Sequence, residues 1–358
     1  MRKYNFYAGP STLPVDVLEE IKTDMVDYKG MGMSLIETSH RSKEYDEIHN
    51  NAVQLVKELL NLPDNYKVLF LGGGATLQFT MIPSNLMIES KPAYYTLTGA
   101  WAKKAYADAG KLGLAKAAYD GKANNYTELP SELDIDKNAS YLHITSNETI
   151  GGLEWQKFPD TKDVPLVADM SSDIMSRPVP AEKFGLIYAG AQKNLGPAGT
   201  TLVIIRDDLL ERSKNKTLTA YLDYSIHADK NSLYNTPPVF SIYATMLVLK
   251  RLKALGGLKA VEKVNAEKAS LIYDVIDSSN GFYKCPVQQE NRSKMNIVFT
   301  MQNEELEKEF VKKAEEKGMV GLKGHRSVGG CRASVYNSMP MEGAACLANF
   351  MKEFALTK

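Results

Sequence analysis

The spacing of hydrophobic positions changes character along the chain. Over 47–60 the apolar residues Ile48, Ala52, Leu55, Val56, Leu59 and Leu60 recur three or four apart, which predicts a helix with one buried face. Short apolar runs follow at 68–71 (VLFL), 93–97 (AYYTL), 115–119 (AKAAY), 141–145 (YLHIT), 166–169 (LVAD), 186–189 (LIYA) and 202–205 (LVII). Most of these seven strand candidates lack apolar–polar alternation, as strands covered on both faces do. Helical stretches such as 101–112 lie between them. Strands alternating with helices predict an α/β fold whose mainly parallel seven-stranded sheet is covered by helices.

After a helix predicted over 239–255, Gly256-Gly257 supplies a stop signal and the pattern changes. A charged amphipathic helix (258–278), a strand (296–300), a very charged helix (304–317), a glycine-rich strand region (318–336) and a last helix (341–355) read as a smaller C-terminal α/β domain. The expected division is 1–256 and 257–358, with segment 1–15 packing on the smaller domain. A length of 358 residues suits two domains at about 150 residues each.

Charge narrows the function classes. Lys plus Arg and Asp plus Glu both number 43, so the formal net charge is zero. A nucleic-acid binder needs a basic excess, so no nucleic-acid partner is expected. Any anionic ligand must be met by locally gathered cations. No apolar run reaches membrane-spanning length, and the start MRKYNFYAGPSTLP has no apolar core of a secretion signal. Three cysteines are too few for a disulfide framework and suit a reducing, cytoplasmic setting. The His and Cys spacings match no metal site, so no metal is expected.

Four places can carry chemistry. Gly72-Gly73-Gly74-Ala75-Thr76 links a strand to a helix. Its amides can form an anion nest at a helix N-terminus, although such a loop equally serves as a tight turn. Asp169 and Lys193 end consecutive strand candidates, where ligands of open α/β sheets bind. A desolvated lysine has a depressed pKa and can form a Schiff base. An acid at the neighbouring strand end can keep a pyridine nitrogen protonated, a combination that suits pyridoxal phosphate. Trp101, after another strand, can stack on a cofactor ring or fill the core, and the residues alone leave both open. His40-Arg41 and the segment Gly324 to Arg332, which holds His325, Arg326 and Arg332, place arginine forks beside histidines. Such forks match carboxylate and phosphate oxygens.

The whole chain resembles the phosphoserine aminotransferases, class V, fold-type I pyridoxal-phosphate enzymes. The resemblance runs through NFYAGPSTLP, SLIETSHRSKEYDEI, VLFLGGGATLQF, SNETIGG, VADMSSDIMSRP, GLIYAGAQKNLGPAG, YNTPPVFSIY and GHRSVGGCRASVYN. It implies pyridoxal 5'-phosphate as cofactor, with Lys193 as Schiff-base lysine, Asp169 at the pyridine nitrogen and Trp101 stacking. Ala75, Thr76, Thr149 and Gln192 are the implied further contacts. Asn235 and Thr236 are implied to reach the phosphate from the second subunit of a homodimer that shares its active sites. Arg41 is implied to bind the substrate carboxylate, His40, His325 and Arg326 to clamp the substrate phosphate, and Arg332 to anchor the α-carboxylate.

The implied reaction is reversible amino transfer from L-glutamate to 3-phosphohydroxypyruvate, giving O-phospho-L-serine and 2-oxoglutarate, in L-serine biosynthesis. The resemblance further implies 4-phosphohydroxy-L-threonine, of pyridoxine biosynthesis in some bacteria, as an expected second substrate. Ala75-Thr76 stands where some members carry Gly-Arg, which leaves more of the phosphate binding to backbone amides and hydroxyls. A cysteine desulfurase needs a cysteine on a mobile loop, whereas Cys331 adjoins the expected anchor Arg332. A dehydrogenase lacks its glycine fingerprint here. A non-catalytic phosphate binder leaves Lys193, Asp169 and both His-Arg pairs unexplained.

Overall fold

The computed structural model describes residues 2–358. A short strand β1 (Tyr4–Asn5) and helix α1 (Val15–Asp24) lead into α2 (Lys43–Leu60). Ser42 caps α2 by accepting the Tyr45 N–H at 3.2 Å, and Asn61 closes it in the left-handed conformation. Next come β2 (Tyr66–Leu71), α3 (Gly74–Leu86), β3 (Ala93–Leu97), α4 (Ala100–Leu112), β4 (Ala115–Asp120) and β5 (Tyr141–Thr145). A small hairpin, β6 (Asn147–Glu148) with β7 (Leu153–Glu154), precedes β8 (Leu166–Asp169), β9 (Phe184–Gly190) and β10 (Thr201–Arg206). Four helices follow: α5 (Asp207–Lys214), α6 (Tyr224–Asp229), α7 (Val239–Ala254) and α8 (Gly257–Asp277). The chain ends through β11 (Asn296–Phe299), α9 (Glu304–Glu316), β12 (Met319–Val320), β13 (Cys331–Ser334) and α10 (Met341–Leu356).

All seven predicted apolar runs lie in one sheet, ordered β2-β10-β9-β8-β5-β3-β4. Only β10 runs antiparallel to its neighbours, so the other six present their carboxyl ends on one side. Alternate residues feed two cores. Phe70, Ile144, Ala168 and Ile187 meet α2 and α7 on one face. Leu69, Tyr95, Val167 and Tyr188 meet α3, α4 and α5 on the other. This double cover explains the unbroken apolar runs.

A separate core gathers Phe6, Ile272, Phe299, Phe310, Ala333 and Phe354. Strand β1 pairs with β12, which brings the N-terminal segment onto it. Helix α8 serves both regions, with Leu258 and Val261 in the first core and Ile272 and Ile276 in the second. Between them Lys268 is fully buried and donates to the carbonyls of Val335 (3.0 Å), Tyr336 (2.6 Å) and Met339 (3.1 Å). Burial pulls its pKa down to about 7. These contacts pin the segment that follows β13 to α8. Lys268→Met keeps the length but removes every donor, and is expected to destabilise the fold by about 2–4 kcal/mol. Denaturant unfolding checks this; an unchanged midpoint contradicts the clamp. Among the described residues, no helix is long and apolar enough to cross a membrane.

Candidate active site

The site forms where the parallel strands end. Lys193 lies in the turn after β9, which is folded by Ala191 N–H to Thr200 O (2.9 Å) and Gly196 N–H to Ala191 O (2.9 Å). The Ser11 hydroxyl donates to the Lys193 carbonyl, and the Ser11 N–H donates to the carbonyl of half-buried Gln192 at 2.9 Å. The Asn194 side chain accepts the Asn337 N–H at 2.9 Å, tying this turn to the segment after β13. The backbone around Lys193 is thus held from several sides, and its side chain is free to work.

The Lys193 amine donates to the Thr149 hydroxyl at 2.6 Å and lies 5.4 Å from the Trp101 ring centre. Burial lowers its pKa from the usual lysine value, Asp169 and Glu148 oppose that shift, and Arg332 adds to it. Asp169 ends β8 beside Tyr188 of β9 and is 5% exposed. Its Oδ1 accepts the Ser171 N–H at 2.9 Å, which orients the carboxylate. Trp101 lies in the first turn of α4 after β3, is half-buried, and has its Nε1 buried without a partner.

Cations gather next to this group. Arg332 on β13 donates to the Thr149 carbonyl at 3.3 Å, while its Nε is buried and unpartnered. Arg332 and His325 line a cavity of 480 Å³ together with Gly99, Thr127, Ile150 and Val298. The Ser327 N–H donates to His325 Nδ1 (3.2 Å), so the neutral ring carries its proton on Nε2 and can donate there. Burial lowers the His325 pKa, and Arg332, Arg326 and Lys104 lower it further. An anion entering among these cations reverses that effect, so binding and His325 protonation support each other.

Other candidates lie apart from this group. Asn235 and Thr236 are exposed and line a second cavity of 280 Å³, shared with Gly72, Gly199, Tyr221 and His227. Ala75 and Thr76 sit in the first turn of α3, just beyond Gly72. Gly73 (φ 85°) and Gly74 (φ 65°) adopt left-handed backbone there, and α3 starts without a side-chain cap. That leaves its first amides available to an anion. Arg41 and Arg326 are exposed; His40 is half-buried with Nε2 buried and unpartnered.

Lys193, Thr149, Trp101, Asp169 and Arg332 therefore converge, and Arg332 shares a cavity with His325. Three features suit a flat, aromatic, phosphorylated aldehyde: a desolvated amine, an indole beside it and an oriented carboxylate on the next strand. Uncapped α3 amides suit the phosphate. Among the described residues, no group of three or more His, Cys, Asp or Glu is placed to hold a metal ion.

The sequence reading missed Glu148, which adjoins Thr149 and is 1% exposed. The only signal was an acidic residue inside a short polar stretch at a strand end. It also missed the Asn147 side chain donating to Asn296 Oδ1 at 2.8 Å, a contact between segments 149 positions apart.

The chain matches the model of the class-V aminotransferase family over residues 3–347. It is 55% identical to a phosphoserine aminotransferase of Lysinibacillus sphaericus (strain C3-41) over 355 residues, 99% of this chain and 98% of that protein. A solved phosphoserine aminotransferase from Bacillus circulans subsp. alkalophilus superposes with a TM-score of 0.97 at 51% identity, covering 99% of each chain. One from Trichomonas vaginalis, solved with bound pyridoxal phosphate, gives 0.93 at 39% identity, covering 98% of this chain and 100% of that one. The chain belongs to the class-V aminotransferase family and, within it, to the phosphoserine aminotransferases.

Proposed function

We propose that this chain catalyses reversible amino transfer from L-glutamate to 3-phosphohydroxypyruvate, giving O-phospho-L-serine and 2-oxoglutarate, with pyridoxal 5'-phosphate as cofactor. The observation that carries this reading is the desolvated Lys193 amine, held at 2.6 Å by Thr149 and beside Trp101, with Asp169 at the end of the next strand. When bound, the cofactor supplies an electron sink for the electrons released at the substrate Cα.

The chain's residues take the remaining work. Lys193 would hold the cofactor through its aldehyde carbon, and its amine, when displaced from that carbon by the substrate amine, would be the general base for the substrate Cα proton. Asp169 would keep a proton on the ring nitrogen, Trp101 would pack beside the ring, and Thr149 and Gln192 would complete the cofactor contacts. Ala75, Thr76 and the α3 amides receive the phosphate, joined by Asn235 and Thr236 from a second copy. A homodimer follows from that reading, and two observations support it. Asn235 and Thr236 are exposed beside Gly72, and Tyr221 and Tyr234 remain 38% and 46% exposed around the same cavity's His227.

Arg332 anchors the α-carboxylate, while His40, Arg41, His325 and Arg326 receive the phosphate or the glutamate side-chain carboxylate. In this proposal 4-phosphohydroxy-L-threonine, with the same charged ends, is a second amino-acid substrate. Three unpaired thiols, Cys285, Cys331 and Cys346, suit work in the cytoplasm. The two cores suit division into a large cofactor domain and a small C-terminal domain, with α8 spanning the join.

The test is an assay of the purified protein with pyridoxal phosphate, glutamate and 3-phosphohydroxypyruvate. Yellow cofactor absorption, 2-oxoglutarate formation and ping-pong kinetics are expected. Absence of 2-oxoglutarate rejects the reading. Arg332→Lys keeps the charge but loses the fork, and kcat/KM for glutamate is expected to fall about 10–100-fold. An unchanged value removes Arg332 from substrate anchoring.

A further inference from the structure

Glu148 has no part in the chemistry proposed for Lys193 and Asp169, yet it is a carboxylate buried in the middle of the site. It is 1% exposed, and burial pushes its pKa up to about 7. Both of its oxygens are taken up by the start of one helix. Oε1 accepts the Ala102 N–H at 3.0 Å and Oε2 the Trp101 N–H at 3.3 Å. These are first-turn amides of α4, whose own N-cap, Gly99, provides no side-chain cap. A Cβ on Gly99 would lie 2.4 Å from Glu148 Cδ, so the carboxylate occupies the space that a side chain there would take.

A local serine or aspartate at position 99 could cap α4 without burying a remote charge. The remote cap achieves something that a local one does not. Trp101 arrives from β3, while Thr149, which holds the Lys193 amine, directly follows Glu148 at the end of β6. Glu148 therefore joins the indole and the hydroxyl that contact the same amine. When ionised it favours the protonated form of that amine, as do Asp169 from β8 and Asp173; Arg332 from β13 and Lys104, 4.3 Å from the Trp101 ring centre, are the nearby cations.

We propose that Glu148 is a positioning residue of this site: it fixes Trp101 and Thr149 relative to each other across Lys193 and, when ionised, adds a negative charge beside the Lys193 amine. This rests on the reading of Lys193 as the cofactor-holding lysine. The sign of the electrostatic effect follows directly. Removing a negative charge beside a cationic group lowers that group's proton affinity.

The test uses the holoenzyme carrying Glu148→Gln and, separately, Glu148→Asp. In Glu148→Gln, the pH midpoint of the bound cofactor's visible absorption is expected to move down by about one unit. Its kcat is expected to drop about tenfold, with KM changing less than about twofold. Glu148→Asp keeps the charge but shortens the reach. Its absorption midpoint is expected to stay near that of the wild type, while the part of the indole emission that Trp101→Phe removes changes in intensity. If Glu148→Gln fails to fold, the indole emission of Glu148→Asp alone decides the proposal: change supports it and no change overturns it. A wild-type midpoint in folded Glu148→Gln overturns the charge role, and wild-type indole emission in Glu148→Asp overturns the positioning role. A wild-type protein that takes up no coloured cofactor overturns the Lys193 reading instead. The apoprotein's indole emission then tests the positioning role on its own: change supports it and no change rejects it.

Discussion

Lys193→Ala is expected to lower transamination at least about 10⁴-fold, because one side chain supplies both the covalent hold on the cofactor and the general base. General-base catalysis alone accounts for about 10²–10⁴. The truncation is well isolated from the fold. The Lys193 carbonyl still accepts from the Ser11 hydroxyl, and Asn194 still anchors the turn through Ile174 and Asn337. The lost contact is the 2.6 Å bond to Thr149. The variant is therefore expected to fold and to retain noncovalent cofactor affinity through the residues proposed for ring and phosphate. Equilibrium dialysis measures that affinity, and steady-state assays measure the loss of rate. Undiminished transamination in folded Lys193→Ala removes the assignment altogether.

The features legible in the sequence share a physical cause. Strands covered on both faces leave short apolar runs, and each of the seven runs forms a strand of one sheet. Lys193 and Asp169 stand out because polar residues at the ends of such runs point into the crevice beyond the sheet. The glycine loop and Trp101 are ambiguous in sequence because a tight turn and an anion nest use the same residues, as do a core indole and a stacking one. Other features leave no local trace. Lys268 sits in a helix of ordinary charged appearance, and its partners are backbone carbonyls, which no residue pattern announces. Glu148 is readable only once Gly99, 49 positions earlier, is known to yield its side-chain space. The convergence of His325 and Arg332 on one cavity likewise needs β13 to pack against the hairpin that carries Thr149.

Asp169→Asn is the second large expected effect, and it separates charge from shape. The amide has nearly the same size as the carboxylate, and its oxygen can still accept the Ser171 N–H now held at 2.9 Å. What disappears is the negative charge at the end of β8, and with it the group proposed to keep the cofactor's ring nitrogen protonated. Electrostatic stabilisers of this kind contribute about 10²–10³ in kcat, so a loss of that size is expected, with little change in KM. The Lys193 amine also loses the largest of the carboxylate influences that oppose its desolvation, so its pKa is expected to fall. Glu148→Gln removes a charge from the same amine but leaves the ring nitrogen's partner intact, so its smaller loss of about tenfold is the internal control. Single-turnover rates with glutamate, read at the cofactor absorption, measure both variants on the chemical step. If Asp169→Asn stays within about twofold of the wild type while folded and cofactor-bound, the pyridine-nitrogen role must belong to another group. A loss as small as that of Glu148→Gln would reduce Asp169 to a background charge on Lys193.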